Sequence, residues 1–204
     1  MAERIEIYGD SISGNCYKLQ LACAQLAIEH VWHEIDILAG ETRTAKFLAM
    51  NPNGKVPLLK LPDGRCLAES NAILSYLADG NSLAGRDRFE TAGILSWMFF
   101  EQYSHEPYIA TSRFIIHYLG NPADRQDELK AKQAGGYMAL DVMEGELSDN
   151  DFIANNAYSI ADIALYAYTH VANEGGFDLT DYPYINTWLA RVKAQSMYVA
   201  MRNK

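Results

Sequence analysis

The chain is short of cations, of long apolar runs and of paired cysteines, and each shortage removes a class of protein. It carries 17 Lys and Arg against 26 Asp and Glu over 204 residues, a formal net charge of -9. A protein that tracks nucleic-acid phosphates needs the opposite balance, so no nucleic-acid partner is expected. No stretch approaches the roughly 18 uninterrupted apolar residues of a membrane span. Met1 to Tyr8 alternates charged with apolar residues, where a secretory leader would begin basic and run apolar. A soluble, cytoplasmic protein without a membrane partner is the expectation. The three cysteines, Cys16, Cys23 and Cys66, include no CxxC pair, which points to reduced thiols. Low-complexity tracts and internal repeats are missing too, and with 49% hydrophobic and 21% charged residues the composition is that of a globular protein.

What is present divides into two parts. The first third reads as strand, helix, strand, helix, strand, strand, helix. Ile5 and Ile7 alternate with Arg4, Glu6 and Tyr8 as in a strand, and Asp10 to Asn15 supplies turn and cap chemistry. Leu19, Ala22, Cys23 and Leu26 then form one apolar helical stripe. Val31 to Leu38 is expected as a second strand, Thr42 to Met50 as a short irregular helix, and Val56 to Leu61 as a third strand closed by Pro62-Asp63-Gly64. Cys66 to Ala68 begins a fourth strand, and a helix follows from Glu69 or Ser70 to about Ala78. With a linker near 80 to 86, this places one domain at 1–79 and a second at 87–204.

The second part shows no strand pattern. Ile185, Trp188, Leu189 and Val192 repeat the helical spacing, and a long helix from about Arg86 to Tyr118 is expected to kink at Pro107. Ser159-Ile160-Ala161-Asp162 fits a capping box with Asp at the third helical position, a structural feature. His105, Glu106, His117 and His170 do not fall into metal-ligand spacing, so no metal is expected.

Three segments carry chemistry: Ser13-Gly14-Asn15-Cys16-Tyr17-Lys18, Asn51-Pro52-Asn53-Gly54-Lys55-Val56-Pro57-Leu58-Leu59, and Glu69-Ser70-Asn71-Ala72-Ile73. Pro57 at the start of a strand forbids ordinary ladder pairing there and permits a cis bond; an ordinary edge-strand proline is the blander reading. Glu69-Ser70 opens a helix, where the hydroxyl and the free N–H groups can receive a carboxylate while Glu69 holds an ammonium. A plain helix cap explains the same dipeptide.

In this order the three segments resemble the glutathione transferase superfamily, and the resemblance extends over the whole chain. It implies a fold of the α/β plus all-α type: a thioredoxin-like N-terminal domain that binds glutathione, then an all-helical C-terminal domain with a hydrophobic second-substrate site. By that resemblance Pro57 is cis and the Val56 backbone pairs with the cysteinyl part of glutathione. Glu69 and Ser70 grip its γ-glutamyl end. Ser13 points its hydroxyl at the sulfur and favours the thiolate, with Ser11 the alternative donor and Asn15 an assistant. Lys55, Arg43 and Lys46 are the cations available to the glycyl carboxylate, Lys55 fitting the motif best. Cys16 is read as a buried structural thiol. Serine in place of cysteine at position 13 disfavours the relatives that form a mixed disulfide. In the aromatic-rich segment around Trp97 to Phe114, Tyr103 and Tyr108 are the candidates to face the electrophile.

The function implied is conjugation of glutathione, as co-substrate, to a small hydrophobic electrophile, as in detoxification. Glutathione-dependent peroxide or disulfide reduction is the alternative, and a non-catalytic ligand carrier or interaction module is another. A homodimer is implied by the same resemblance.

Overall fold

The computed structural model describes residues 4–202 and divides into two compact units. One comprises the chain up to Asp79 together with the segment from Ser196, and the other runs from Gly80 to Gln195.

The first unit is a four-stranded sheet with three helices. Strands β1 (Ile5–Gly9), β2 (His30–Glu34), β3 (Leu58–Lys60) and β4 (Cys66–Ala68) lie in the order β2-β1-β3-β4. The first two pair in parallel and the others antiparallel, with Tyr8 opposite His33 on one side and Leu58 on the other. Alternation along β1 gives the sheet two faces. Ile7 and its cross-strand partner Leu59 are fully buried on one of them. That face meets helix α1 (Gly14–Gln25), because a Cβ at Gly9 would stand 3.0 Å from Cys16 Sγ of that helix. On the other face Tyr8 and Leu58 pack with Phe47 and Met50 of α2 (Ala45–Met50), whose start is capped by Thr44 Oγ1. Helix α3 (Ser70–Leu77) packs against α1.

Strands β2 and β3 are both shorter than the sequence pattern suggests. Beyond Glu34 the Asp36 carboxylate accepts the N–H groups of Leu38 and Ala39, a local turn that competes with strand pairing. At the start of β3, Pro57 has no N–H to give the ladder. The chain end also differs from the expectation of a helical domain continuing to 204, since the segment from Ser196 groups with the sheet and Val199 C=O accepts from the Tyr17 hydroxyl at 2.7 Å.

The second unit is helical throughout, and among the described residues no helix is long and apolar enough to cross a membrane. Helix α4 (Arg88–Phe100) starts at Asp87, whose Oδ1 accepts from the N–H groups of Phe89 and Glu90. It passes into a wide π-helical turn over Glu101–His105 and then into α5 (Glu106–Arg113), with Pro107 in its first turn. Pro107 lacks an N–H and its ring crowds the carbonyl four residues earlier, so the helical path widens just ahead of it. A second π-helical turn covers Phe114–Tyr118. Helix α6 (Gln126–Leu147) packs on α5 through two adjacent glycines: any side chain at Gly135 would run into the Tyr108 ring of α5, and one at Gly136 into Phe177, with Ile109 of α5 3.3 Å away.

Helix α7 (Ile160–Thr169) is buried along its whole length, and α8 (Pro183–Lys193) buries Ile185, Trp188 and Val192. The capping box at the start of α7 is present. Asp162 does more than cap, since its carboxylate accepts from Ser159 N–H, Ser159 Oγ, Ile153 N–H and Trp188 Nε1. Burial pushes this carboxyl up to about 6 against the pull of those donors.

Candidate functional site

The β1–α1 loop is fixed by a short series of bonds. Ser13 N–H donates to Asp10 C=O at 3.0 Å, Ile12 N–H to Asp10 Oδ1 at 3.1 Å, and Ser11 N–H to Glu34 Oε1 at 2.7 Å. Ser13 then occupies the N-cap of α1 with extended backbone, yet its side chain makes no capping bond to the helix. The hydroxyl stands instead within hydrogen-bond reach of the Cys16 thiol. Cys16 itself is buried, and burial pushes its thiol up to about 12, the Ser13 hydroxyl pulling the other way. It is therefore a poor nucleophile.

Asn15, in the first turn of α1, meets α3. Its Oδ1 accepts from Ser70 Oγ at 3.1 Å, and the same hydroxyl accepts from Lys18 Nζ at 3.1 Å. Lys18 also donates to Asn71 Oδ1 at 3.0 Å and is fully enclosed. Ser70 is buried, whereas Glu69 is exposed and takes the left-handed region, φ 71°, at the N-cap of α3. A non-glycine residue there is uncommon and carries local strain. The starts of two helices, both positive ends of their dipoles, are thus cross-linked by side chains.

A second group surrounds Pro57. The Val56–Pro57 bond is cis. Ahead of it, buried Asn51 shapes the loop: Asn51 Nδ2 donates to Lys55 C=O at 2.8 Å, and Asn53 N–H donates to Asn51 Oδ1 at 3.1 Å. Arg43 Nη1 reaches the Asn53 carbonyl at 3.4 Å and lies against Gly54, whose φ of +61° suits glycine. Lys55 is exposed. Lys46 lines a separate cavity of about 280 Å³ under α2, with Tyr8, His33 and Glu41 among its walls.

Of the sequence candidates, the structure thus brings Asn15 and Ser70 into direct contact and gathers Arg43, Lys55, Val56 and Pro57 around one loop. Tyr103 and Tyr108 belong to the helical unit. Tyr103 is 85% exposed on the first π-helical turn, while the half-buried Tyr108 ring packs on Gly135 and lies 5.4 Å from Lys132 Nζ.

Sequence reasoning gave no role to Lys18 or Glu34. Lys18 had a signal, being the one charged residue in an otherwise uncharged α1, where burial demands polar partners. Glu34 had none, as an acidic residue closing a strand is ordinary.

Comparison with known proteins bears on this arrangement. Residues 12–79 match the family model described as the glutathione S-transferase N-terminal domain, and residues 96–196 match that of the C-terminal domain. A crystal structure of a glutathione S-transferase from Pseudomonas fluorescens Pf-5 is 52% identical with a TM-score of 0.96, covering 98% of this chain and 99% of that one. Glutathione S-transferase F10 of Arabidopsis thaliana is 30% identical over 175 residues, 80% of each chain. Disulfide-bond oxidoreductase YfcG of Escherichia coli K12 is 25% identical over 188 residues, 89% of this chain and 86% of the other.

Proposed function

The chain belongs to the glutathione S-transferase family, and from that premise we propose that it conjugates glutathione, through its thiolate, to a small hydrophobic electrophile. The observation that carries this reading is the Ser13 hydroxyl, placed at the positive end of α1 and not used to cap the helix. A hydrogen bond from it and the field of the helix both favour an anionic sulfur over a neutral thiol. The thiol proton leaves to solvent, the sulfur lone pair forms a bond to the electrophilic carbon, and the leaving group departs with its electron pair. Holding both reactants together supplies the rest of the acceleration.

In this reading Asn15 assists at the sulfur, Glu69 and Ser70 receive the γ-glutamyl end, and the Val56 backbone beside cis-Pro57 pairs with the peptide. Lys55 and Arg43 are the cations for the glycyl carboxylate. Tyr103 and Tyr108 face the electrophile, consistent with Tyr103 leaving an exposed ring. The unit built from the chain up to Asp79 and from Ser196 binds glutathione and the unit from Gly80 to Gln195 carries the electrophile site, in a cytoplasmic homodimer engaged in detoxification. Large apolar side chains left exposed on α4, among them Phe89 and Phe99, support self-association.

The test is a titration of glutathione thiolate absorbance with and without the protein. A thiol pKa lowered by the wild type and restored by Ser13→Ala is the expected result; an unchanged pKa in the presence of the wild type rules the reading out.

A second reading, glutathione-dependent disulfide reduction, draws on the similarity to the disulfide-bond oxidoreductase. It uses the same activated sulfur. A panel of an aryl halide, an isothiocyanate, an organic peroxide and a mixed glutathione disulfide separates the two, because turnover of only the peroxide or the disulfide favours reduction.

A further inference from the structure

The Glu34 carboxylate has two partners, and both belong to the frame around Ser13. Its Oε1 accepts from Ser11 N–H at 2.7 Å and its Oε2 from Trp32 Nε1 at 2.8 Å. Trp32 is itself wedged under the end of β1. A Cβ at Gly9 would stand 2.8 and 2.9 Å from its ring and 3.0 Å from Cys16 Sγ, so indole, strand end and first turn of α1 are in close contact. Ile35 N–H, next along the chain, bonds to Gly9 C=O at 3.0 Å. The loop from Gly9 to Ser13 is therefore clamped from β2, with the carboxylate of Glu34 as the clamp.

We infer that Glu34 is a positioning residue for thiolate formation: it fixes the loop that presents the Ser13 hydroxyl, while its own charge opposes the anion that the hydroxyl favours. The two effects have opposite signs. The latch comes from the two hydrogen bonds, which survive in part when the carboxylate becomes an amide. The opposition comes from the negative charge, which disappears with that change. The Cys16 thiol registers the field: the Glu34 charge acts to raise it, whereas Asp10 lowers it through a backbone hydrogen bond and raises it through its charge. A carboxylate is retained here at an electrostatic cost because a charged acceptor makes shorter and stronger bonds than an amide does. The inference rests on Ser13 acting at the glutathione sulfur, and the partners of Ser11 on the β2 side do not depend on it.

Three proteins test it: wild type, Glu34→Gln and Glu34→Ala, each assayed for kcat/KM against pH with an aryl halide, and for the Ser11 amide resonance by NMR without glutathione. Glu34 is exposed, so both variants should fold. Glu34→Ala should shift the Ser11 amide upfield and lose on the order of tenfold in kcat/KM, the loss falling on kcat because the loop misplaces the donor. Glu34→Gln should keep most of the rate and lower the pH midpoint by a few tenths of a unit, as loss of one screened charge implies. An unchanged Ser11 resonance in Glu34→Ala overturns the latch. Equal pH midpoints in wild type and Glu34→Gln overturn the electrostatic part. A wild type that takes up no glutathione sinks the functional reading instead, and the Ser11 resonance still reports on the clamp.

Discussion

The Ser70 hydroxyl donates to the Asn15 amide oxygen across 3.1 Å, so the first turns of α3 and α1 are joined by a side-chain bond between residues 55 positions apart. Lys18, buried beneath, donates to that same hydroxyl and to Asn71. The two helix starts proposed to meet the sulfur and the γ-glutamyl end of glutathione are thus held by one polar network.

Replacing Lys18 by Met removes the donor that Ser70 and Asn71 share. The buried Ser70 hydroxyl and the half-buried Asn71 amide oxygen then lose a partner, at roughly 1–3 kcal/mol in all. The urea midpoint should fall accordingly, and KM for glutathione should rise because the start of α3 is no longer fixed. A variant with wild-type midpoint and KM speaks against the network's role.

Ser13→Ala should lower kcat/KM by about 10- to 100-fold near neutral pH, the range implied by loss of one hydrogen bond to a charged group. Ser13→Thr keeps a hydroxyl and should retain most of the activity. The check is a pH–rate profile: the alanine variant regains rate as pH rises toward the free thiol pKa of about 8.5.

Asp162→Ala leaves the Ser159 and Ile153 N–H groups and the Trp188 indole N–H without their acceptor inside the helical unit. A loss of roughly 3 kcal/mol or more is expected. Asp162→Asn should also destabilise, since an amide nitrogen would face a donor. Both should show in chemical denaturation; a wild-type midpoint for either contradicts the assignment.

His170 makes the helical unit sensitive to mild acid. Its ring stacks on Tyr166 at 4.5 Å, and Nδ1 lies 2.7 Å from Tyr166 C=O. Burial first, with the nearby Arg113 charge, pushes the imidazole down from 6.5 to about 4 against the upward pull of the Tyr166 carbonyl and, less, of Glu174. The unfolded chain therefore takes up this proton at a higher pH than the folded one. The contribution is complete above about 6.5 and is lost as pH falls from there toward 4, by at most about 3 kcal/mol. Asp162, raised to about 6, works in the opposite direction, but equally in wild type and variant. Thermal melts at pH 7.5 and 5 should show a smaller acid-induced drop in Tm for His170→Gln than for the wild type, and equal drops would contradict it.

How much of this was legible beforehand follows from where the determining contacts lie. The starts of α1 and α3, the turn after β3 and the capping box before α7 are set by neighbouring residues, and the pattern around Ser13, Pro62-Asp63-Gly64, Glu69 and Ser159 shows them. Strand β2 ends earlier than its apolar pattern because Asp36 folds back on Leu38 and Ala39, a competition that hydrophobic alternation does not register. The π-helical turn before Pro107 depends on how a helix absorbs a missing N–H, for which several local solutions exist. Within the candidate site, Ser13, Asn15, Pro57 and Ser70 were visible as motif residues. The role of Lys18, itself in the first motif segment, and that of Glu34 were not, because they depend on contacts with residues 52 and 23 positions away.

The return of the chain to the first unit, sealed by the Tyr17 hydroxyl on Val199, makes that unit discontinuous in sequence. During synthesis the whole of the helical unit must leave the ribosome before this last piece of its neighbour can dock. The half proposed to bind glutathione, though encoded first, is completed only by residues translated after the helical unit.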